Sequence, residues 1–410
     1  MNKPKIVIGL GFGDEGKGMA VAHETQKMID AGLTPNIVRF NGGPQAAHNV
    51  RVRRNGEILH HTHSQFGSGA LLGTSTYITK GMLFDVLAFD AEADHILKLM
   101  GKDMRSTVWV DARCPVILPI HVIANRILER RNHHGSTGNG IGIARACEDA
   151  SDGEHATVSV GDLYHDGVHK LYLRIGHWAK WIEDRYDISL GCDDSDLWDW
   201  AYLLKDTFDN ECEKGLNICL NMDGVISGLV HGNEFGVVFE GSQGMLLDKR
   251  HGWFPHVTYG DMDAFDARRM CGNVRPTVLG VTRSYMTRHG NGPFPVGHDY
   301  VIDEIDNKTT EWAGKFRAGI LDIPAIARTA QATCCDEIAV SHMDKYPGRC
   351  VTHWEGWRHE DGVDRSIPCD MHVESMSEDD LLTTIHDACM ADVTVVGNGP
   401  TLDDWHDREG

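Results

Sequence analysis

Long apolar runs are missing from this 410-residue chain. No stretch approaches the ~20 residues that cross a bilayer, and no charged-then-apolar leader opens the chain. A soluble, cytoplasmic protein is expected, with no membrane partner. Paired CxxC cysteines are also missing. The eleven cysteines follow no regular spacing, and the adjacent Cys334 and Cys335 cannot easily bridge each other, so reduced thiols are expected. Positive charge is scarce: 39 Lys and Arg stand against 60 Asp and Glu, a formal charge of −21. That balance repels a polyanion and argues against a nucleic-acid partner. Any phosphate site must therefore be made positive locally, by a lysine, backbone amides, a helix N-terminus and a metal ion. No internal repeat or long linker interrupts the chain, and its 41% apolar content is enough for a substantial core.

What is present begins at Ile6-Val7-Ile8, a run long enough for a buried strand and too short for a helix. It stops in glycines, Gly11, Gly13, Gly16 and Gly18, with Asp14, Glu15 and Lys17 among them. Glycine lets amide groups turn inward and lets a bulky anion approach, so this turn suits phosphate. The spacing meets most of a P-loop, but Gly18 stands where that motif carries Ser or Thr for magnesium. Another oxygen must hold the metal, and Asp14 is the candidate.

Further along, residues 17–31 read as a helix stopped by Gly32 and residues 36–40 as a strand. A hairpin is expected over 50–53 and 57–60 around Asn55-Gly56, with helices over 82–99 and 120–131. Residues 134–142 read as a polar, glycine-rich loop. The acidic, tryptophan-containing segment 178–214 reads as solvated amphipathic helices. Strands are expected at 235–240, 277–284, 338–341 and 393–396. Five apolar runs end in polar or glycine-rich turns, GDEGKG, NGGPQAAH, EGSQG, SHMD and GNGP. In an open parallel sheet, ligands gather outside the carboxyl ends of strands. The expected fold class is α/β, a large mostly parallel central sheet with flanking helices, a P-loop-like phosphate turn and inserted helical and loop subdomains. One domain over 1–410 is expected, with a helical insertion at about 164–232.

Taken together, the chain resembles the adenylosuccinate synthetase family, ligases that join aspartate to C6 of a purine nucleotide. The resemblance rests on GFGDEGKG at 11–18, RFNGGPQAAH at 39–48, STGNGIG at 136–142, VGDL at 160–163, FEGSQGMLLD at 239–248, GPFP at 292–295, SHMD at 341–344 and GNGP at 397–400. It implies a GTP-dependent reaction in which O6 of IMP is phosphorylated and then displaced by L-aspartate. By this match Asp14 is the base that removes N1–H and a magnesium ligand, and His48 is the acid that stabilises the migrating phosphoryl group. The backbone carbonyl of Ala47 would complete the Mg²⁺ shell. Gly13, Glu15, Gly16, Lys17 and Gly18 would cradle the GTP phosphates. Asp344 would accept both guanine donors, N1–H and N2–H₂, which favours GTP over ATP; His342 would stack on the base and Gly399 would line it. Asn41, Gln45, Thr137, Gln243 and Thr258 fall to the monophosphate substrate, and Thr310, Lys315 and Arg317 to aspartate. The family implies a homodimer.

Departures from the family pattern cluster on the substrate side. GGHNAGH is replaced by GGPQAAH, Glu154 and His155 occupy the region of an arginine lent by the second subunit, and His342 replaces a lysine. The arginine-rich aspartate loop keeps only Lys315 and Arg317, with Glu311 opposing them. A viral branch of the family acts on dGMP; the retained Asp14-Glu15 pair favours IMP, while the looser match elsewhere leaves dGMP or GMP, or an amino acid other than aspartate, as the alternatives. Two other classes fit a GTP site, a regulatory GTPase and a nucleotide kinase. His60, His61 and His63 look like metal ligands but have no carboxylate or cysteine neighbour in sequence, so a structural role is expected.

Overall fold

The computed structural model describes residues 3–133, 135–152, 156–297, 300, 302, 304, 307, 312 and 314–408. Among them run β1 (Lys5–Gly9), β2 (Thr34–Arg39), β3 (His48–Arg54), β4 (Glu57–His63), β5 (Ser75–Ile78), β6 (Val108–Asp111), β7 (Asn217–Cys219) and β8 (Phe235–Gly244). They are followed by β9 (Thr277–Arg283), β10 (Tyr285–Arg288), β11 (Arg317–Asp322), β12 (Glu337–Ser341), β13 (Arg349–Arg358), β14 (Ile367–Ser375), β15 (Asp392–Gly397) and β16 (Trp405–Asp407). Ten of these form one sheet in the order β16-β15-β12-β9-β1-β8-β2-β5-β6-β7. Every neighbouring pair in it is parallel except β15 with β16. This is the expected α/β architecture.

Continuous apolar strands imply cover on both faces, and the residues of β1 divide accordingly. Ile6 and Ile8 pack with Val38, Phe239 and the helix Met222–His231 on one side. Val7 packs with Ile37, Val238 and the helix Lys17–Asp30 on the other. At the far end of the sheet, helices Val168–Tyr186 and Asp194–Glu213 bury Ile175, Trp178, Leu204 and Phe208 with Phe89 and Ile96 of the helix Val86–Met100. Both lie within 164–232, and so does β7, an edge strand of the main sheet.

Several boundaries differ from the sequence reading for local reasons. The helix expected from Met82 starts at Val86, because the Asp85 carboxylate accepts from the amides of Leu87 and Ala88 as an N-cap. The β3–β4 hairpin pairs over its whole length, His48 opposite His63. Residues 141–150, partly read as loop, form a helix that starts after Gly140, whose φ is 77°. A second sheet, β10-β11-β13-β14, was not expected. The outer halves of β13 and β14 are largely exposed and bury few apolar residues, and no Asn-Gly turn joins them, so neither periodicity nor turn chemistry marked them.

Candidate active site

The five polar or glycine-rich turns lie at the carboxyl ends of β1, β2, β8, β12 and β15, which fall within six consecutive strands of the parallel sheet. Their carboxyl ends therefore share one edge, and the turns converge there.

At the first turn, Gly13, Asp14 and Gly16 take left-handed φ values of 95°, 61° and 91°, which turns the backbone back on itself. Gly18 has a different reason to be glycine: a Cβ there would lie 2.8 Å from Cβ of His48 and 3.0 Å from the Asn49 carbonyl. The β3 strand approaches the helix so closely that the Ser or Thr of an ordinary P-loop would clash. Inside the turn, Glu15 Oε1 accepts from the amides of Gly11 at 3.0 Å and Gly13 at 2.7 Å. Its Oε2 lies 2.6 Å from Lys17 Nζ, and both side chains are buried. Glu15 thus holds the turn's shape and compensates the buried lysine.

Beside this turn lies a cavity of about 700 Å³ lined by Gly13, Asp14, Lys17, Gln45, Ala47, His48, Thr137, Gln243 and Thr258, among others. Residues from five separated stretches of sequence meet on its wall. The Asp14 carboxylate is about one-third exposed to it and lies 3.3 Å from His289 Nε2. Burial would raise its pKa, but His289, Arg283 and Lys17 outweigh burial and hold it at about 2. Asp14 is therefore ionised at neutral pH. Arg283 also donates to the Asp14 carbonyl and pairs with Glu304.

His48 is nearly buried and meets an acceptor on each ring nitrogen: Glu240 Oε1 at 2.5 Å from Nδ1 and the Ser242 carbonyl at 2.8 Å from Nε2. Only the protonated ring donates to both. Burial outweighs Glu240 and holds its pKa below the ordinary histidine value. Glu240 also accepts from the Ser68 amide at 2.9 Å and hydroxyl at 2.5 Å. Burial would raise the Glu240 carboxyl, but Arg39 and His48 hold it at about 2.

Other sequence-named residues lie elsewhere. Asn41 donates to the Asp261 carbonyl at 2.9 Å and accepts from the Ser242 amide at 3.0 Å, so its amide ties two of the turns together. Arg317 donates to the carbonyls of Gly292 at 2.9 Å and Gly290 at 2.7 Å, and Lys315 is exposed. Thr310 lies outside the described residues, as do Glu154, His155 and Glu311. On the other side of the P-loop-like turn, Ser341 donates to the Glu15 carbonyl at 2.7 Å and contacts His342 Nδ1 at 2.7 Å. Asp344 is partly exposed, 3.8 Å from Lys345. Burial raises its carboxyl, partly offset by Lys345. A Cβ on Gly399 would lie 2.7 Å from the Asp404 carboxylate. These residues form a second cluster, distinct from the cavity lining.

Sequence reasoning missed Glu240, Ser68, His289 and Arg283. Glu240 did carry a signal: a carboxylate closing the apolar run Val237-Val238-Phe239 must find partners when buried. His289 and Arg283 come from β9 and the loop after β10, and only the fold brings them to Asp14. The His60, His61 and His63 group is occupied by protein: His61 contacts His95 Nδ1 at 2.8 Å and Glu92 at 3.3 Å, and His63 contacts the His48 carbonyl at 3.4 Å. Glu92 is a carboxylate neighbour that the local sequence did not show.

The family model for adenylosuccinate synthetase matches residues 6–372. Adenylosuccinate synthetase of Methylococcus capsulatus is 30% identical over 372 residues, covering 85% of this chain and 78% of its own. That of Teredinibacter turnerae is 29% identical, covering 90% and 84%. Among solved structures, fully ligated adenylosuccinate synthetase from Plasmodium falciparum shares the fold at a TM-score of 0.78 and 18% identity, over 99% of this chain and 100% of its own. Cyanophage S-2L succinoaminodeoxyadenylate synthetase, solved with dGMP and with dATP as energy donor, matches at a TM-score of 0.62 and 17% identity, over 100% and 96%. With the family model matching residues 6–372, the chain belongs to the adenylosuccinate synthetase family of GTP-dependent ligases.

Proposed function

We propose that this ligase joins L-aspartate to C6 of IMP, with GTP as phosphoryl donor and Mg²⁺ as cofactor. The observation that carries the reading is that ionised Asp14 and carboxylate-backed His48 open onto one cavity beside Lys17. Hydroxide is a poor leaving group from C6, so the oxygen must first be activated. Asp14 accepts the N1 proton, and O6 attacks the γ-phosphorus of GTP as the bond to the β-phosphate oxygen breaks, giving GDP and a 6-phosphoryl nucleotide. His48 donates a hydrogen bond to the transferring phosphoryl oxygens, and Lys17 neutralises phosphate charge. The aspartate amine then attacks C6, the C6–O bond breaks to release phosphate, and the amine loses a proton.

Oxygen donors suit Mg²⁺, and a carboxylate held ionised at about 2 fits that requirement. Asp14 and the Ala47 carbonyl would hold the ion, which supplies neutralisation of charge on the transferring phosphoryl group. Asp344, with His342 and Gly399, serves the guanine of GTP. Thr137, Gln243, Thr258 and Gln45 serve the nucleoside monophosphate, and Thr310, Lys315 and Arg317 serve aspartate. A homodimer is part of this reading, supported by the family match and checked by light scattering. A cytoplasmic site of action is supported by eleven unbridged cysteines; no described helix is long and apolar enough to cross a membrane.

One observation favours a second reading, in which dGMP replaces IMP. The amide oxygens of Gln45 and Gln243 are buried without a hydrogen-bond partner, and both residues line the cavity. A purine 2-amino group would supply a donor to such an acceptor. A panel of IMP, dIMP, GMP and dGMP, each with GTP, Mg²⁺ and aspartate, separates the readings by product mass. An aspartate adduct of IMP supports the first; an adduct of dGMP with IMP inert supports the second. Phosphate release that ignores both monophosphate and aspartate would favour a GTPase, and a phosphorylated product formed without aspartate a kinase.

A further inference from the structure

The β13–β14 hairpin lies outside the active-site machinery, and its two strands bring four ligand-type side chains to one face. His353 is directly opposite His372 in the register, and their rings stack at 4.3 Å between centroids. Glu355 and Glu374 stand two residues away on their own strands, which puts them on the same face of an antiparallel pair. A register shift between Val351 and His353 marks a bulge, a device that re-aims side chains. The bulged residue Thr352 donates to Glu374 Oε1 at 2.8 Å.

The donor atoms converge. His372 Nε2 lies 3.3 Å from Glu374 Oε1, His353 Nε2 lies 3.6 Å from Glu355 Oε1, and His372 Nδ1 lies 3.8 Å from that same oxygen. One donor atom each from His353, His372 and Glu374 lies within 4.8 Å of the others. A tetrahedral zinc with bonds of about 2.0–2.1 Å needs donors about 3.3 Å apart, so small side-chain rotations close the set.

A second observation concerns charge. Among the described residues, no lysine or arginine is paired with Glu355 or Glu374. The contrast is the other His-carboxylate group of this chain, His23 with Glu24 and Asp407. There Lys27 already supplies the cation, 3.3 Å from Glu24 and 2.8 Å from Asp407. The hairpin holds the same kinds of ligand without a resident cation.

We propose that His353, His372 and Glu374, with Glu355 standing beside them, form a binding site for a zinc-class divalent transition metal that clasps the two strands together. Imidazole and carboxylate together select zinc, nickel or copper over magnesium. The magnesium chemistry of the active site is separate from this site.

The test is a zinc titration of the full, untagged chain by calorimetry in magnesium-containing buffer, with Co²⁺ as an optical probe of tetrahedral coordination. Expected is one equivalent of zinc that the H353A/H372A variant loses or binds at least tenfold more weakly, while H386A, which removes an exposed histidine on another element, keeps it. The milder Glu374→Gln, which preserves both rings, should weaken binding in the same direction. Far-UV circular dichroism and ligase activity without zinc check that the variants fold. Equal zinc uptake by wild type and H353A/H372A overturns the proposal. So does an absence of uptake by wild type, or an equal loss in H386A, which would mark adventitious binding to surface histidines.

Discussion

His48 Nδ1 and Glu240 Oε1 are 2.5 Å apart, and the contact joins the first residue of β3 to the middle of β8. The carboxylate fixes the ring and favours its protonated form, while Ser68 and Arg39 keep the carboxylate in place. Nε2 meets the Ser242 carbonyl at 2.8 Å, so donation to a phosphoryl oxygen exchanges that contact while Glu240 keeps hold of Nδ1.

Glu240→Gln should therefore lower kcat by roughly 10²-fold, the low end of what a positioned acid contributes, with little change in KM for either nucleotide. His48→Ala should lower kcat at least as far, and the double variant should add little. Steady-state kinetics of the three variants checks this; independent, additive losses would contradict it. The same pair gives a stability prediction. The Glu240 carboxyl titrates at about 2 in the fold against an ordinary value of 4.5. Its contribution is therefore fully present well above 4.5 and is lost as pH falls through about 2. Glu240→Gln should remove that part of the acid dependence, as read by thermal melts at successive pH values.

A second prediction concerns Asp14. Asp14→Asn should nearly abolish turnover while sparing GTP binding, because an amide accepts no proton. His289→Ala removes a partner that lowers the Asp14 pKa. The acid limb of kcat/KM should then move to higher pH. An unmoved limb would mean that His289 does not face the working form of Asp14.

Much of this arrangement was legible in the sequence. The apolar runs ending in polar or glycine-rich turns marked β1, β2, β8, β12 and β15, and the rule for parallel sheets placed their exits at one edge. Asp14, Lys17 and His48 each stand in such a turn, and all three line the cavity. Residues whose role depends on distant packing were not legible in this way. Glu240 reaches His48 over 192 positions, and Arg283 reaches Asp14 over 269. The β13–β14 hairpin was missed because its outer half buries little, so it carries no apolar stripe.

Donor choice gives a third prediction. Asp344→Asn should weaken GTP use by ~1–3 kcal/mol, the scale of an unmade hydrogen bond to a charged group. Competition between GTP and ATP reads it. A wild-type enzyme that uses both equally would remove Asp344 from this role.

The fourth concerns stability at the junction of the acidic helices with the sheet. Arg105 Nε and Glu211 Oε2 are 2.6 Å apart, and each side chain is 1% exposed. Arg105→Met leaves the buried Glu211 carboxylate with Lys214 alone and should destabilise by ~3–5 kcal/mol, whereas R105M with E211L should recover most of the loss. Urea midpoints at constant slope measure both.

The central claim is that O6 of the purine becomes the leaving phosphate's oxygen. Labelling O6 of IMP with ¹⁸O and analysing the phosphate released in the presence of GTP, Mg²⁺ and aspartate tests it directly. The account predicts one ¹⁸O in each phosphate formed with adenylosuccinate; release of unlabelled phosphate alongside that product would contradict it.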